Sequence, residues 1–145
     1  MRNVAYDTQT PLSLSICAVK SSLYTRENIP LRIAFENVSN GKLKILRHFR
    51  PVPVFFSIHM ARTDGTPINI PGAGKISFQK DSIEYLELNT KEIFGFQINI
   101  ADLVTSSNEI TEGDYELSIT YHNQYGDGCF RGKINSNSIN VKIGD

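Results

Sequence analysis

The sequence predicts an all-β fold, an antiparallel β-sandwich of about eight or nine strands, and three observations predict it. Apolar and polar residues alternate with a period of two in segment after segment, as in strands buried on one face and wet on the other. Turn-forming residues interrupt those segments at roughly 8–12-residue spacing. No apolar i, i+3, i+4, i+7 pattern lasts for three turns, so helices are incidental. The 145 residues suit one domain. A chain of this size buries roughly 68–70% of its unfolded surface, enough for a core without staples. Residues 1–10 are polar and aperiodic and read as a flexible segment, and residues 11–145 read as the domain.

The elements follow in order. Pro11 opens a strand at 12–18, with Leu12, Leu14 and Ile16 on one face and Ser13, Ser15 and Cys17 on the other. A charged connection at 20–28 leads to a strand at 29–37 whose inward residues are Ile29, Leu31, Ile33 and Phe35. Asn40-Gly41 supplies a tight turn, because both residues accept positive φ, and a strand at 42–46 follows. Two prolines confine the basic bend at 47–53 to a loop or a sheet edge, where Phe49 is placed to cap the core. Residues 54–60 form the next strand, Asp64-Gly65 turns it into a short return at 67–70, and residues 71–75 make a loop before a short edge segment at 76–79. Strands at 83–88 and 93–100 flank the turn at 89–91, and Phe94, Phe96, Ile98 and Ile100 alternate along the second. Residues 101–111 form a long corner with room for one helical turn, and the last strand lies at 136–143.

The strand at 113–121 is the most informative. Tyr115, Leu117, Ile119 and Tyr121 fall on one face and Asp114, Glu116, Ser118 and Thr120 on the other. Immunoglobulin-like sandwiches place a tyrosine near the start of strand F, two residues before a core position, where its hydroxyl bonds back across the preceding corner. Tyr115 and Leu117 match that spacing, so the sandwich is expected to be immunoglobulin-like and Tyr115 to close the corner.

Composition excludes several function classes. Fifteen Lys plus Arg balance fifteen Asp plus Glu, which argues against a nucleic-acid or anionic-membrane partner, since both need a basic field. No apolar run reaches membrane-spanning length and the N-terminus lacks a signal-type core, so a cytosolic protein is expected, with a secreted one the alternative if a leader has been removed. Cys17 and Cys129 are too few for a disulfide framework, and they stand either as two free thiols or as one bridge. Neither has a local histidine or helix start to activate it as a nucleophile.

The Pro71-Gly72-Ala73-Gly74-Lys75 stretch lacks the glycine and the Ser or Thr that a phosphate loop needs at 69 and 76. His48, His59 and His122 lack metal-ligand spacing, no calcium-loop pattern occurs, and no Gly-x-Ser-x-Gly elbow is present. No cofactor, no metal and no catalytic residue is expected, and the protein is read as a non-enzyme. Asn37-Val38-Ser39 matches a glycosylation acceptor that matters only in a secreted chain.

Binding then falls to loops, edges or faces. If strands alternate strictly up and down, the connections at 37–42, 61–66, 88–92 and 122–133 share one end, where rigid sheets fix their relative positions. Asn40 and Asp64 mark two of these turns. The glycine-rich loop at 122–133 offers Tyr125, Phe130 and Arg131, side-chain types enriched at interface anchors. These five residues are the candidate partner-binding set. Without tryptophan, stacking on a sugar would fall to Tyr121 or Tyr125, which keeps a carbohydrate- or small-ligand-binding sandwich as a further alternative.

The run from 31 to 143 resembles the bacterial intracellular proteinase inhibitor family and related immunoglobulin-like domains. The resemblance rests on Leu31-Arg32-Ile33-Ala34-Phe35-Glu36-Asn37 with the Ser39-Asn40 turn, on the 54–60 strand leading to Asp64-Gly65, on Leu86-Glu87-Leu88 before its turn, and on Gly113-Asp114-Tyr115. In such domains a Pro-Gly turn is commoner where this chain has Asn89-Thr90-Lys91-Glu92. The resemblance implies a non-catalytic domain that blocks a protease cleft with loops 37–42, 61–66 and 122–133. Beside it stands the broader expectation of a module that binds another protein through an exposed strand edge, a sheet face or its end loops.

Overall fold

A computed structural model of the chain describes residues 10–19, 24–49, 52–68, 70, 83–104 and 110–144. The flexible segment expected before residue 10, the loop at 71–75 and the edge segment at 76–79 lie outside the described residues. The fold is all-β, with antiparallel sheets. The strands are β1 (Leu12–Ala18), β2 (Tyr24–Thr25), β3 (Pro30–Asn37), β4 (Leu43–Leu46), β5 (Phe56–Arg62), β6 (Tyr85–Leu88), β7 (Ile93–Asn99), β8 (Gly113–Asn123), β9 (Gly132–Asn135) and β10 (Ile139–Gly144). Two single helical turns, α1 (Val52–Phe55) and α2 (Ala101–Val104), interrupt them.

A three-stranded sheet runs β1-β3-β7, a five-stranded sheet runs β2-β10-β8-β5 with β9 also on β8, and β4 and β6 form a two-stranded ribbon. One pairing departs from the antiparallel expectation: β2 joins β10 in parallel, within the stretch read as a connection.

Alternation explains which residues meet. On β3, Leu31, Ile33 and Phe35 are buried while Arg32 is exposed, and on β8 all of Tyr115, Leu117, Ile119 and Tyr121 are buried. Phe35 carries the contact between the two larger sheets, with ring centroids 4.9 Å from Tyr121 and 6.2 Å from Phe56. Phe49 is buried and stacks on Phe96 at 5.1 Å, the core cap that the bend at 47–53 was expected to supply. Such aromatic pairs add about 0.5–1.5 kcal/mol each beyond the area they bury.

The corner expected at Tyr115 is present. Its hydroxyl donates to the Thr111 carbonyl at 2.7 Å and accepts from the Thr111 N–H at 2.9 Å, with the residue fully buried. Tyr115→Phe keeps the ring and leaves both Thr111 backbone groups without that partner. A loss of about 1–2 kcal/mol in urea unfolding, with an unchanged slope, is the expected result.

Three sequence expectations need correction. The strand expected from Val54 begins at Phe56, because Val52–Phe55 turn as α1; Pro53 has a helix-compatible φ and lacks a donor that a first helical turn leaves unpaired anyway. The strand expected at 136–143 begins only at Ile139 as β10, after a break at 136–138, and β9 forms before the break at Gly132–Asn135, partly within the stretch read as loop 122–133. At the break Ser136 donates its N–H to Ile119, takes the Ile119 N–H on its hydroxyl, and Asn137 turns its amide onto the N–H and carbonyl of Ile16.

The third correction concerns the shared end. β5 pairs antiparallel with β8, setting Arg62 opposite Tyr115 and Phe56 opposite Tyr121. The 61–66 turn therefore sits beside the start of β8, where Thr63 bonds Asp114, and loop 122–133 leaves from the other end. Strict alternation fails because β4 and β5 both start from the end near Tyr121. Lys44 takes the Phe130 N–H, Phe130 stacks on Tyr121, and Phe56 pairs with it.

Candidate functional site

The end of the molecule that holds residues 37–42, 88–92 and 124–131 is organised by two buried asparagines. Asn37 closes β3 and is fully buried; its Nδ2 donates to the carbonyls of Gly41 and Leu88, both at 2.8 Å, and its Oδ1 accepts from the Ser39 N–H and hydroxyl. Asn123 closes β8 and does the same for the next loop. Its Nδ2 donates to the carbonyls of Tyr125 and Phe130, both at 2.9 Å, and its Oδ1 accepts from the Tyr125 N–H at 3.0 Å.

Each amide thus replaces strand pairing that ends at its position. The ribbon adds a second brace, since the Asp127 N–H donates to the Tyr85 hydroxyl at 2.9 Å and Lys44 lies over the Tyr85 ring. Gly126 is required between them: its φ is +92° and a Cβ there would stand 2.8 Å from Cys129 Sγ and 3.1 Å from the Tyr85 ring.

Beside this braced loop, on the outer face of the five-stranded sheet, lies an open polar trough of about 790 Å³. Its floor follows from register. Ser57, Thr120 and Asn135 face outward in one row across β5, β8 and β9, His59 pairs with Ser118, and His122 pairs with Lys133. Asn123, Gln124 and Gly132 complete the lining at the loop side.

The floor is fixed by hydrogen bonds. Thr120 donates its hydroxyl to Asn135 Oδ1 at 2.7 Å, so in the 2.9 Å contact between His59 Nε2 and Thr120 Oγ1 the ring N–H donates and Thr120 Oγ1 accepts. Ser57 Oγ stands 3.3 Å from His122 Nε2. Burial, and then the charge of Lys133, hold His122 below the ordinary imidazole range, which keeps it neutral near pH 7. No Asp or Glu lines the trough, so the Ser57–His122 pair has no carboxylate to orient it as a nucleophilic triad requires.

The sequence-predicted residues separate. Asn40 is exposed on the Asn37-braced turn. Asp64 lies at the opposite end, its carboxylate accepting the Thr66 N–H at 2.8 Å, and the Thr66 backbone and side-chain hydrogen bonds hold its pKa below the usual carboxylate value. Tyr125 is half-buried with its ring 6.1 Å from Phe55, and Arg131 is exposed. Phe130 is turned inward at 8% exposure and stacks on Tyr121; bonds from its backbone to Lys44 and Asn123 fix that direction. It is therefore a core residue rather than a surface anchor. Tyr121 is likewise buried, and burial raises its hydroxyl above the ordinary phenol range, so it offers no stacking platform.

Sequence reasoning passed over the trough itself, although the signal was present as the wet face of the 113–121 alternation and the Ser57–His59 spacing. His59 and His122 do share this face, but no cluster of three metal-ligating side chains occurs among the described residues.

Both cysteines are free, Cys17 exposed and Cys129 half-buried. Burial is the main influence on Cys129 and raises its thiol, while Sγ donates to the Tyr125 carbonyl at 3.3 Å. In native buffer an uncharged maleimide is expected to label Cys17 at least about tenfold faster than Cys129, with the difference vanishing in denaturant. Equal native rates would show that the 124–131 loop opens freely.

No protein-family model and no curated protein matches the chain. Solved structures similar to it include the β-glucosidase from Listeria innocua in complex with glucose, at 10% identity and a TM-score of 0.45 over 92% of this chain. The same enzyme in complex with isofagomine matches at 12% identity and a TM-score of 0.44, again over 92% of this chain. The chain spans 16% of the length of those proteins. No helix among the described residues is long and apolar enough to cross a membrane.

Proposed function

We propose that this chain is a non-catalytic, immunoglobulin-like protein-recognition domain that engages its partner with the outer face of β5, β8 and β9 and the adjoining 124–131 loop. One observation carries the reading: the polar trough of about 790 Å³ is built from side chains already locked by mutual hydrogen bonds. A surface fixed before contact loses little conformational entropy on binding, so more of the interaction energy remains as affinity. The loop adds Gln124 to the trough's lining and leaves Arg131 exposed beyond it. A cytosolic setting fits the exposed thiol of Cys17, since reducing compartments keep such groups unpaired.

The test places a photo-reactive p-benzoylphenylalanine at position 124 or 135, and separately at position 13 on the far sheet. The expected result is one discrete cross-linked protein from positions 124 and 135 in lysate of the source cell, identified by mass spectrometry, and none from position 13. Equal labelling from all three positions, or none at the trough, would overturn the reading.

A second reading rests on the braced end. Turns 37–42 and 88–92 and loop 124–131, held by Asn37 and Asn123, form a rigid surface of the kind that blocks a protease cleft, with the 61–66 turn excluded by its place at the other end. Micromolar domain that leaves a panel of serine and cysteine proteases fully active would remove it.

A further inference from the structure

The trough has a charge pattern that the protein-recognition reading does not by itself specify. The residues on the outer face around β8 run from acidic to basic types along its length. Near its start Asp114 is paired with Lys142 at 3.8 Å and Glu116 follows; toward its end stand His59, His122 and Lys133, with Arg131 in the next loop. These are the titratable and charged groups that β5, β8, β9 and β10 present to this face.

Geometry singles out one row. His122 and Lys133 are directly opposed on β8 and β9, and β5 supplies no third residue because it begins at Phe56, one place short. His122 Nε2 is held by Ser57, while its Nδ1 has no hydrogen-bond partner among the described residues. Lys133 is exposed and forms no ion pair among the described residues. Two basic side chains, Lys133 and His122, thus line a recess free of carboxylates.

We infer that the open end of the trough is a carboxylate-binding site, formed by Lys133 and His122, that takes an acidic segment of the protein partner. The inference rests on the protein-recognition reading and gives the partner its chemistry. A carboxylate seated between the two side chains accepts from the Lys133 ammonium and from His122 Nδ1–H, and its charge offsets the repulsion that Lys133 exerts on a protonated imidazole.

Binding is therefore linked to proton uptake. In the free protein His122 is held below the ordinary imidazole value, and in the complex it rises. Affinity for the acid must increase as the pH falls through the bound value, and level off below the free one. Aspartate is a suitable probe because it stays ionised throughout that window, its ordinary pKa being about 3.9.

The test measures fluorescence anisotropy of a labelled deca-aspartate peptide on the intact chain at about pH 5.5 and pH 7.5, with deca-lysine and a Gly-Ser peptide as controls. Expected is binding of deca-aspartate alone, about tenfold tighter at the lower pH and weakened by salt. His122→Gln should abolish the pH dependence, and Lys133→Gln should weaken binding at both pH values. Thermal melts confirm that both variants fold, as substitutions on a half-exposed surface should. Binding of deca-lysine, a pH response that survives His122→Gln, or capture of a neutral oligosaccharide in place of the peptide would overturn the inference. Position-124 cross-linking to a protein, together with no deca-aspartate binding, would remove the acidic partner while leaving the protein-recognition reading intact.

Discussion

Phe35→Ala is expected to lower the unfolding free energy by about 4 kcal/mol, the range for deleting a fully buried aromatic. Phe35 is 0% exposed and its ring meets Phe49, Phe56, Phe96 and Tyr121 at centroid distances of 5.5, 6.2, 6.2 and 4.9 Å. These partners come from β5, β7, β8 and the crossover after β4, so no single neighbour can move into the void without leaving another contact. With a total stability of about 5–15 kcal/mol for a typical domain, the loss brings the chain near the folding threshold. Urea titration followed by far-ultraviolet circular dichroism reads the effect. Ile93→Ala on the same sheet, at 60% exposure, serves as the control and is expected to change stability by less than about 0.5 kcal/mol. Comparable losses for the two would remove Phe35 from the centre of the core.

Asn37→Ala should cost roughly 3 kcal/mol, although it deletes few apolar contacts. The amide satisfies the Leu88 carbonyl in a buried setting and the Gly41 carbonyl and Ser39 N–H beside it. A buried polar group left without its partner costs about 1–3 kcal/mol. Asn37→Asp is the sharper variant, because it keeps the acceptor for Ser39 but turns the donor facing two carbonyls into a second acceptor. It should be at least as damaging as alanine above the usual carboxylate pKa, and partly recover as pH falls toward about 4 and the acid is neutralised. Hydrogen exchange at residues 37–41 and 88–92 would report the same disturbance locally. A stability loss below about 1 kcal/mol for alanine would show that water replaces the amide at no cost.

The long strands were legible because one face of each is buried. β1, β3 and β8 show the alternation over most of their length, with Thr120 a buried exception on β8, and the Tyr115 corner was legible from spacing alone. β7 was partly so: Ile100, just past its end, is fully buried, but Phe94, Phe96 and Ile98 are only half-buried, since the strand lies at a sheet edge.

The loops were not legible, for a specific reason. A count of alternations treats every connection as a reversal, whereas residues 47–55 carry the chain between sheets and restart it from the same end. That put Asp64 with the wrong group of loops. Phe130 was misread because aromatic character in a glycine-rich loop says nothing about where backbone hydrogen bonds aim the ring. The trough escaped because its members are ordinary outward-facing polar residues. Only register across three strands places Ser57, Thr120 and Asn135 in one row, and register is not written in any single segment.

Lys91 shows the converse. Its φ of +68° is the backbone value that glycine usually supplies, and the turn is held by bonds from Lys91 to Asn37 and from Asn89 to Glu92.

The Asn137 amide has a consequence beyond closing the break between β9 and β10. β1 borders its sheet, and the outward N–H and C=O of Ile16 are the groups that another chain's strand would pair with; both are already occupied, at 2.8 and 3.1 Å. A side chain that imitates a neighbouring backbone in this way blunts a sticky border at its middle and so opposes edge-to-edge pairing between copies of the domain.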